Sequence, residues 1–155
     1  MGQIDKRLAE LGITLPVAAK PVANYVPWVR TGNLVFISGQ GPVEDGKVVY
    51  PGCLGADVTL EEGAKSARLC GINVLAQLKD ACGGDLDRVE RIVKLGVFVA
   101  STPDFTDQPE AANGASDLME AVFGDAGKHA RAAVSVPVLP RDATVEIDCV
   151  VKVRS

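Results

Sequence analysis

The stretch TLEEGAKSARLCGINVLAQLKDACGGDLDRVERIVKLGVFVA, residues 59–100, holds a helix, its stop signal and a long strand in succession. Thr59-Leu60-Glu61-Glu62 matches a capping box, in which a threonine oxygen and a glutamate carboxylate take up amide donors that the first helical turn leaves free. Behind it, Ala64, Ala67, Gly71, Val74, Leu75, Leu78 and Cys82 recur at the helical repeat on one face. Lys65, Arg68, Gln77 and Lys79 mark the other face as solvated. Gly83-Gly84 ends the helix. Val89 to Ala100 is rich in β-branched residues and reads as a central strand. Val93, Leu95, Val97 and Val99 share one of its faces, with Ile92 and Phe98 on the other. A strand that is apolar on both faces needs cover on both.

Working outward, Ile4 to Leu11 with Gly12 behind reads as a short helix closed by a glycine. Pro16 and Pro21 then keep the chain extended. Tyr25–Arg30 and Leu34–Ser38 flank Thr31-Gly32-Asn33 and predict a hairpin, and Ser38-Gly39-Gln40-Gly41-Pro42 breaks its second strand. Lys47 to Tyr50 is a third short strand. Downstream, a helix from Pro109 to Phe123 turns Ala112, Ala115, Met119 and Val122 inward. Two strands close the chain on either side of the turn Leu139-Pro140-Arg141-Asp142: Ala130–Val136, and one in which Val145, Ile147, Cys149, Val151 and Val153 oppose Thr144, Glu146, Asp148 and Lys152. The order β-β-β-α-β-α-β-β predicts an α+β fold with two main helices on one face of a mixed sheet. Those helices leave the other face bare, so association of copies through it is expected.

The 155 residues fit one domain, and 16 Lys plus Arg against 20 Asp plus Glu give a net charge of −4. No basic run is present, which argues against a nucleic-acid partner. No apolar run reaches the roughly 18–20 residues of a membrane helix, so no membrane partner is expected. The opening MGQIDKRLAEL lacks a signal-peptide core, and a cytoplasmic location is the expectation. Cys53, Cys70, Cys82 and Cys149 form no Cys-x-x-Cys and are expected to be small buried apolar groups.

Arg131 stands in an Ala/Val strand and shares its face with Ala133 and Ser135. Glu146 follows across a turn, so the last two strands are expected to present both side chains to one pocket. Two readings are open: an ion pair of Arg131 with Glu146 or Asp148, or a guanidinium fork for a ligand carboxylate, with small neighbours leaving room. Gly39 permits close approach of a ligand to the backbone. Tyr25 is a sheet residue or a pocket hydroxyl, and Trp28 reads as packing. His129, the sole histidine, has no nucleophile turn beside it.

Five segments then recur in a familiar order: Ser38-Gly39-Gln40-Gly41-Pro42, Val93-Lys94-Leu95-Gly96-Val97-Phe98, Arg131-Ala132-Ala133-Val134, Leu139-Pro140 and Val145-Glu146-Ile147. Over about residues 18–153 the chain closely resembles the RidA (YjgF) family of enamine/imine deaminases. The resemblance implies a chorismate-mutase-like fold, with residues 1–155 as one RidA-like domain and 1–17 as an N-terminal extension holding the short helix. It implies homotrimers with sites in the clefts between subunits. The implied activity is hydrolysis of 2-imino acids or their enamine tautomers, such as 2-aminoacrylate or 2-iminobutyrate, to 2-keto acids and ammonia. By position Arg131 holds the substrate carboxylate, the backbone at Gly39 and Ala133 lines the pocket, and Ser38 matches the pocket hydroxyl. Tyr25 and Glu146 match the residues that hold the attacking water. The implied partner is a small-molecule carboxylate, with no metal and no other cofactor.

The chain departs from the family pattern at His129, where proline is usual, and at Ala133, where cysteine or serine is usual. It is also longer between Phe105 and Arg131, which together with the N-terminal extension implies a side branch. A different reading of the same arginine is a trimeric 2-keto acid binding or regulatory protein without turnover. An endoribonuclease reading, attached to some relatives, is opposed by the acidic charge.

Overall fold

The capping box forms as read. In the computed structural model, which describes residues 1–155, Thr59 Oγ1 accepts from the Glu62 amide at 3.1 Å and Glu62 Oε1 from the Thr59 amide at 3.0 Å. The helix it opens, α2 (Leu60–Ala81), is the long element of the helical layer. Helix α1 (Gln3–Glu10) and helix α3 (Gln108–Phe123) complete that layer. Gly12 follows α1 at φ 69°, a conformation that suits the glycine turn after a helix.

Helix α3 packs against α2 across a close crossing at Gly114, where a Cβ would overlap the Ala64 carbonyl. Its Ala112, Ala115, Met119 and Val122 are buried, as the spacing requires. Gln77 of α2 departs from expectation: it is buried, with Nε2 donating to the Ala19 carbonyl at 2.6 Å. The extended segment ahead of the first strand lies over that flank of α2, a tertiary contact that local periodicity does not encode.

The sheet runs β1 (Trp28–Thr31), β2 (Leu34–Gln40), β7 (Val145–Val153), β5 (Val89–Ala100), β6 (Ala130–Val136), in that spatial order. A two-stranded ribbon, β3 (Val43–Glu44) with β4 (Lys47–Val48), stands apart. Strands β5 and β6 are parallel and joined through α3, whereas β7 pairs antiparallel with both β5 and β2. Thus β6 and β7 do not pair, although a single turn separates them in sequence: β5 lies between them. Strand β2 continues to Gln40 across a bulge rather than breaking at Ser38.

The faces of β5 also differ from the simple alternation. Ile92, Leu95, Val97 and Val99 are buried beneath the helices, whereas Val93 is exposed. A register shift between Ile92 and Lys94 inserts an extra residue and reverses the parity on one side of it. The helix-free face therefore carries Phe98 with Phe36, Val29, Val134 and Val150 around it, a broad apolar surface in the single protomer. No helix is long and apolar enough to cross a membrane.

Gly114→Ala tests the α2–α3 crossing. The added methyl favours the helix by up to about 1 kcal/mol but collides with the Ala64 backbone, so a net loss of about 1–3 kcal/mol is expected in urea unfolding. An unchanged or raised midpoint contradicts the close crossing.

Candidate active site

The candidate residues fall into two groups, one on each face of the sheet. The first is built on β6, the edge strand. Arg131 pairs with Leu95 of β5, so it shares the face that Leu95 buries beneath the helices. Its Nη1 reaches α3 and donates to Asn113 Oδ1 at 2.8 Å and to Ser116 Oγ at 3.1 Å. Both acceptors are neutral. The five ion pairs of the chain all lie elsewhere, so Arg131 is bridged to neither Glu146 nor Asp148. A shallow cleft of about 260 Å³ opens at the guanidinium, lined also by Asp117, Glu120, Lys128 and His129. Ala133 lies on the same face, its methyl against the core.

The second group lies on the helix-free side, where Glu146 of β7 sits opposite Phe98 of β5. Its carboxyl nestles against Gly39, so closely that a Cβ there would come within 2.9 Å of the carboxyl carbon and of Oε2. Only glycine fits. Burial, and secondarily the charge of Asp148, push the Glu146 carboxyl above the ordinary glutamate range. Glu146, Gly39 and Tyr25 line one cavity of about 650 Å³, together with Asn73, Arg141 and Lys20. The Ser38 hydroxyl donates to the Val26 carbonyl at 2.8 Å and so fastens the segment that carries Tyr25 to β2. Ser38 itself lines the neighbouring cavity on the sheet face, about 510 Å³, which it shares with Gly39.

Tyr25, Gly39 and Glu146 are thus brought together, with Ser38 supporting them, and Arg131 with Ala133 is not. The sheet separates the two groups, which corrects the expectation that both side chains enter one pocket of a single chain. The physical reason is twofold: β5 intervenes between the strands, and Arg131 and Glu146 fall on opposite parities of their pleats.

Three further residues join these two groups without a sequence signal. Asn73 of α2 lines the larger cavity and donates from Nδ2 to the carbonyls of Gly41 at 2.9 Å and Val43 at 3.0 Å, pinning the loop that follows Gly39. Asn113 and Ser116 of α3 hold Arg131. Polar residues on a helix flank look solvated in sequence. The thiols offer no nucleophile: Cys70, Cys82 and Cys149 are buried, Cys53 half-buried, and burial raises the pKa of each.

Comparison with known proteins gives a family match over residues 5–153, described as "YjgF/chorismate_mutase-like, putative endoribonuclease". The chain is 48% identical to Protein TCP17 of Trypanosoma cruzi, covering 99% of this chain and 96% of that protein. It is 49% identical to the crystal structure of the protein Atu1372 of Agrobacterium tumefaciens, of unknown function, with a TM-score of 0.92 over 97% of this chain and 92% of that one. A 2-iminobutanoate/2-iminopropanoate deaminase of Dermatophagoides farinae is 25% identical, covering 92% of this chain and 95% of that protein.

The raised Glu146 carboxyl carries a sign. Its charged form is disfavoured by the fold, so its contribution to stability is present at low pH and lost as pH rises through the folded-state value. Carbon-13 NMR titration of the Glu146 carboxyl is expected to give a midpoint above 4.5, lowered by Asp148→Asn. A midpoint at or below 4.5 contradicts the desolvation.

Proposed function

Since this chain belongs to the YjgF/chorismate-mutase-like family, also known as RidA, we propose that it hydrolyses 2-imino acids and their enamine tautomers to 2-keto acids and ammonia. The observation that carries the proposal is Arg131, a guanidinium held by neutral acceptors with no carboxylate of its own. Such a group lacks the partner that a structural ion pair supplies, and its planar fork suits a small carboxylate. The deaminase among the similar proteins supports the same chemistry.

The reaction then divides between two copies. One copy's Arg131 fixes the substrate carboxylate. The neighbouring copy supplies Gly39, Tyr25 and Glu146, whose carboxyl holds a water against the imine carbon. Glu146 takes a proton from that water as its oxygen bonds to carbon and passes it to the imine nitrogen, giving a carbinolamine; the hydroxyl proton then passes through Glu146 to nitrogen as the carbonyl forms and the carbon–nitrogen bond breaks. Ammonia and the 2-keto acid leave. A carboxyl raised by desolvation suits this exchange, since it accepts and releases a proton more readily near neutral pH than an ordinary glutamate. Positioning supplies the rest of the rate, because imines already hydrolyse in water. The apolar helix-free face supports the assembly, which we propose is a homotrimer closed through that face.

An amino-acid oxidase that generates 2-iminobutyrate in situ provides the assay. Wild-type protein is expected to accelerate loss of the imine, and Arg131→Ala to lower kcat/KM by roughly a hundredfold, equivalent to about 2.7 kcal/mol of transition-state stabilisation. Tight binding of 2-oxobutanoate without acceleration by wild type replaces the enzyme with a carboxylate-binding protein. Equal activity in Arg131→Ala removes the arginine from the account.

A further inference from the structure

His129 has no part in the hydrolysis just described, yet its ring is engaged at both nitrogens. Nδ1 lies 2.6 Å from the Gly127 carbonyl. A carbonyl only accepts, so Nδ1 carries the proton. In the neutral ring Nε2 is then an acceptor, and the Ser116 hydroxyl, 2.9 Å away, donates to it. With its hydrogen committed to His129, Ser116 Oγ faces Arg131 as an acceptor. The hydrogen bonds run one way, from Arg131 Nη1 to Ser116 to His129 Nε2, and from Nδ1 to Gly127. Each polarises the next.

Nη1 has two hydrogens, one for Ser116 and one for Asn113 Oδ1 at 2.8 Å. That nitrogen is used up, whereas no hydrogen bond within the chain engages Nε or Nη2. The Nε–Nη2 edge is the side of a guanidinium that meets two carboxylate oxygens in parallel.

We propose that Ser116 and His129, with Asn113, are positioning residues that tie down Nη1 and present the Nε–Nη2 edge of Arg131 to a planar carboxylate, and that protonation of His129 tightens this grip. The inference rests on Arg131 as the carboxylate clamp. When Nε2 gains a proton it becomes a donor to Ser116, whose oxygen accepts from His129 and Arg131 together. The serine hydrogen then turns away from the ring, and the cleft gains a positive charge. The other charges facing His129 are Asp117 and Glu120 of α3, Arg131 of β6, and Lys128 with its partner Asp125 in the preceding turn, paired at 3.3 Å. Lys94 of β5, beside Ala130, lies on the opposite face.

Calorimetric binding of 2-oxobutanoate to the full chain, compared between about pH 8 and about pH 5.5, tests this. Wild-type affinity is expected to rise several-fold as pH falls. Ser116→Ala is expected to raise Kd roughly tenfold, and Ser116→Thr, which keeps the hydroxyl, to restore it. His129→Gln is expected to weaken binding and remove most of the pH dependence; a residual slope that disappears in His129→Gln/Glu146→Gln belongs to Glu146. Wild-type affinity in both Ser116→Ala and His129→Gln, or an equal loss in Ser116→Thr and Ser116→Ala, overturns the positioning role. An unchanged pH slope in His129→Gln overturns the protonation step and also decides the matter if Ser116→Ala fails to fold. Wild-type binding by Arg131→Ala overturns the clamp itself, a different and distinguishable failure.

Discussion

A sheet backed by helices on a single side governs the rest of this molecule. Helices α1, α2 and α3 all lie on one face, and beneath them Ile92, Leu95, Val97 and Val99 of β5 and the inward residues of β7 are buried. The opposite face keeps Phe36, Phe98 and Val134 partly in water, about 25 cal/mol of unfavourable exposure for each Å² of apolar surface. The same division sorts the polar groups. Arg131 goes to the helix side of the edge strand and Glu146 to the bare side of β7.

Neither group makes an ion pair within its own chain. The guanidinium has hydrogen bonds but no ion-paired carboxylate, and the glutamate carboxyl is desolvated against Gly39 with Asp148 as its charged neighbour. A fold that sought only stability has cheaper arrangements, since a partly buried charge is normally paired. Unpaired groups of opposite sign and complementary chemistry on one chain invite a ligand and a second copy together. In the proposed assembly, association covers the apolar face and brings a cation to the carboxyl side in one step.

The amino-acid order encodes the local patterns: the capping box at Thr59, the inward stripe of α3, strand β6 to the residue and β7 to within one residue at its start. The family pattern added the chorismate-mutase-like fold and the identity of the groups worth inspecting. What stayed illegible was the set of long-range choices. Insertion of β7 between β2 and β5 depends on which edges meet, and no hydrophobic period encodes that. The bulge beyond Ile92 moves Val93 to the open face, because one extra residue inverts a period of two. Gln77 looked solvated until the chain around Ala19 was laid across it. The partnership of His129 and Ser116 joins a loop to a helix flank through two short polar side chains, and neither residue stands out alone.

The central claim is that a working site takes Arg131 from one copy and Glu146 from another. Mixing two inactive variants, Arg131→Ala and Glu146→Gln, under conditions that let subunits exchange tests it directly. Composite sites predict that imine hydrolysis returns in the mixture, to about a quarter of the wild-type level at equal proportions, since about one pairing in four brings together two intact halves. If exchange is verified and the mixture stays as inactive as its components, the site lies within one chain and the account is wrong.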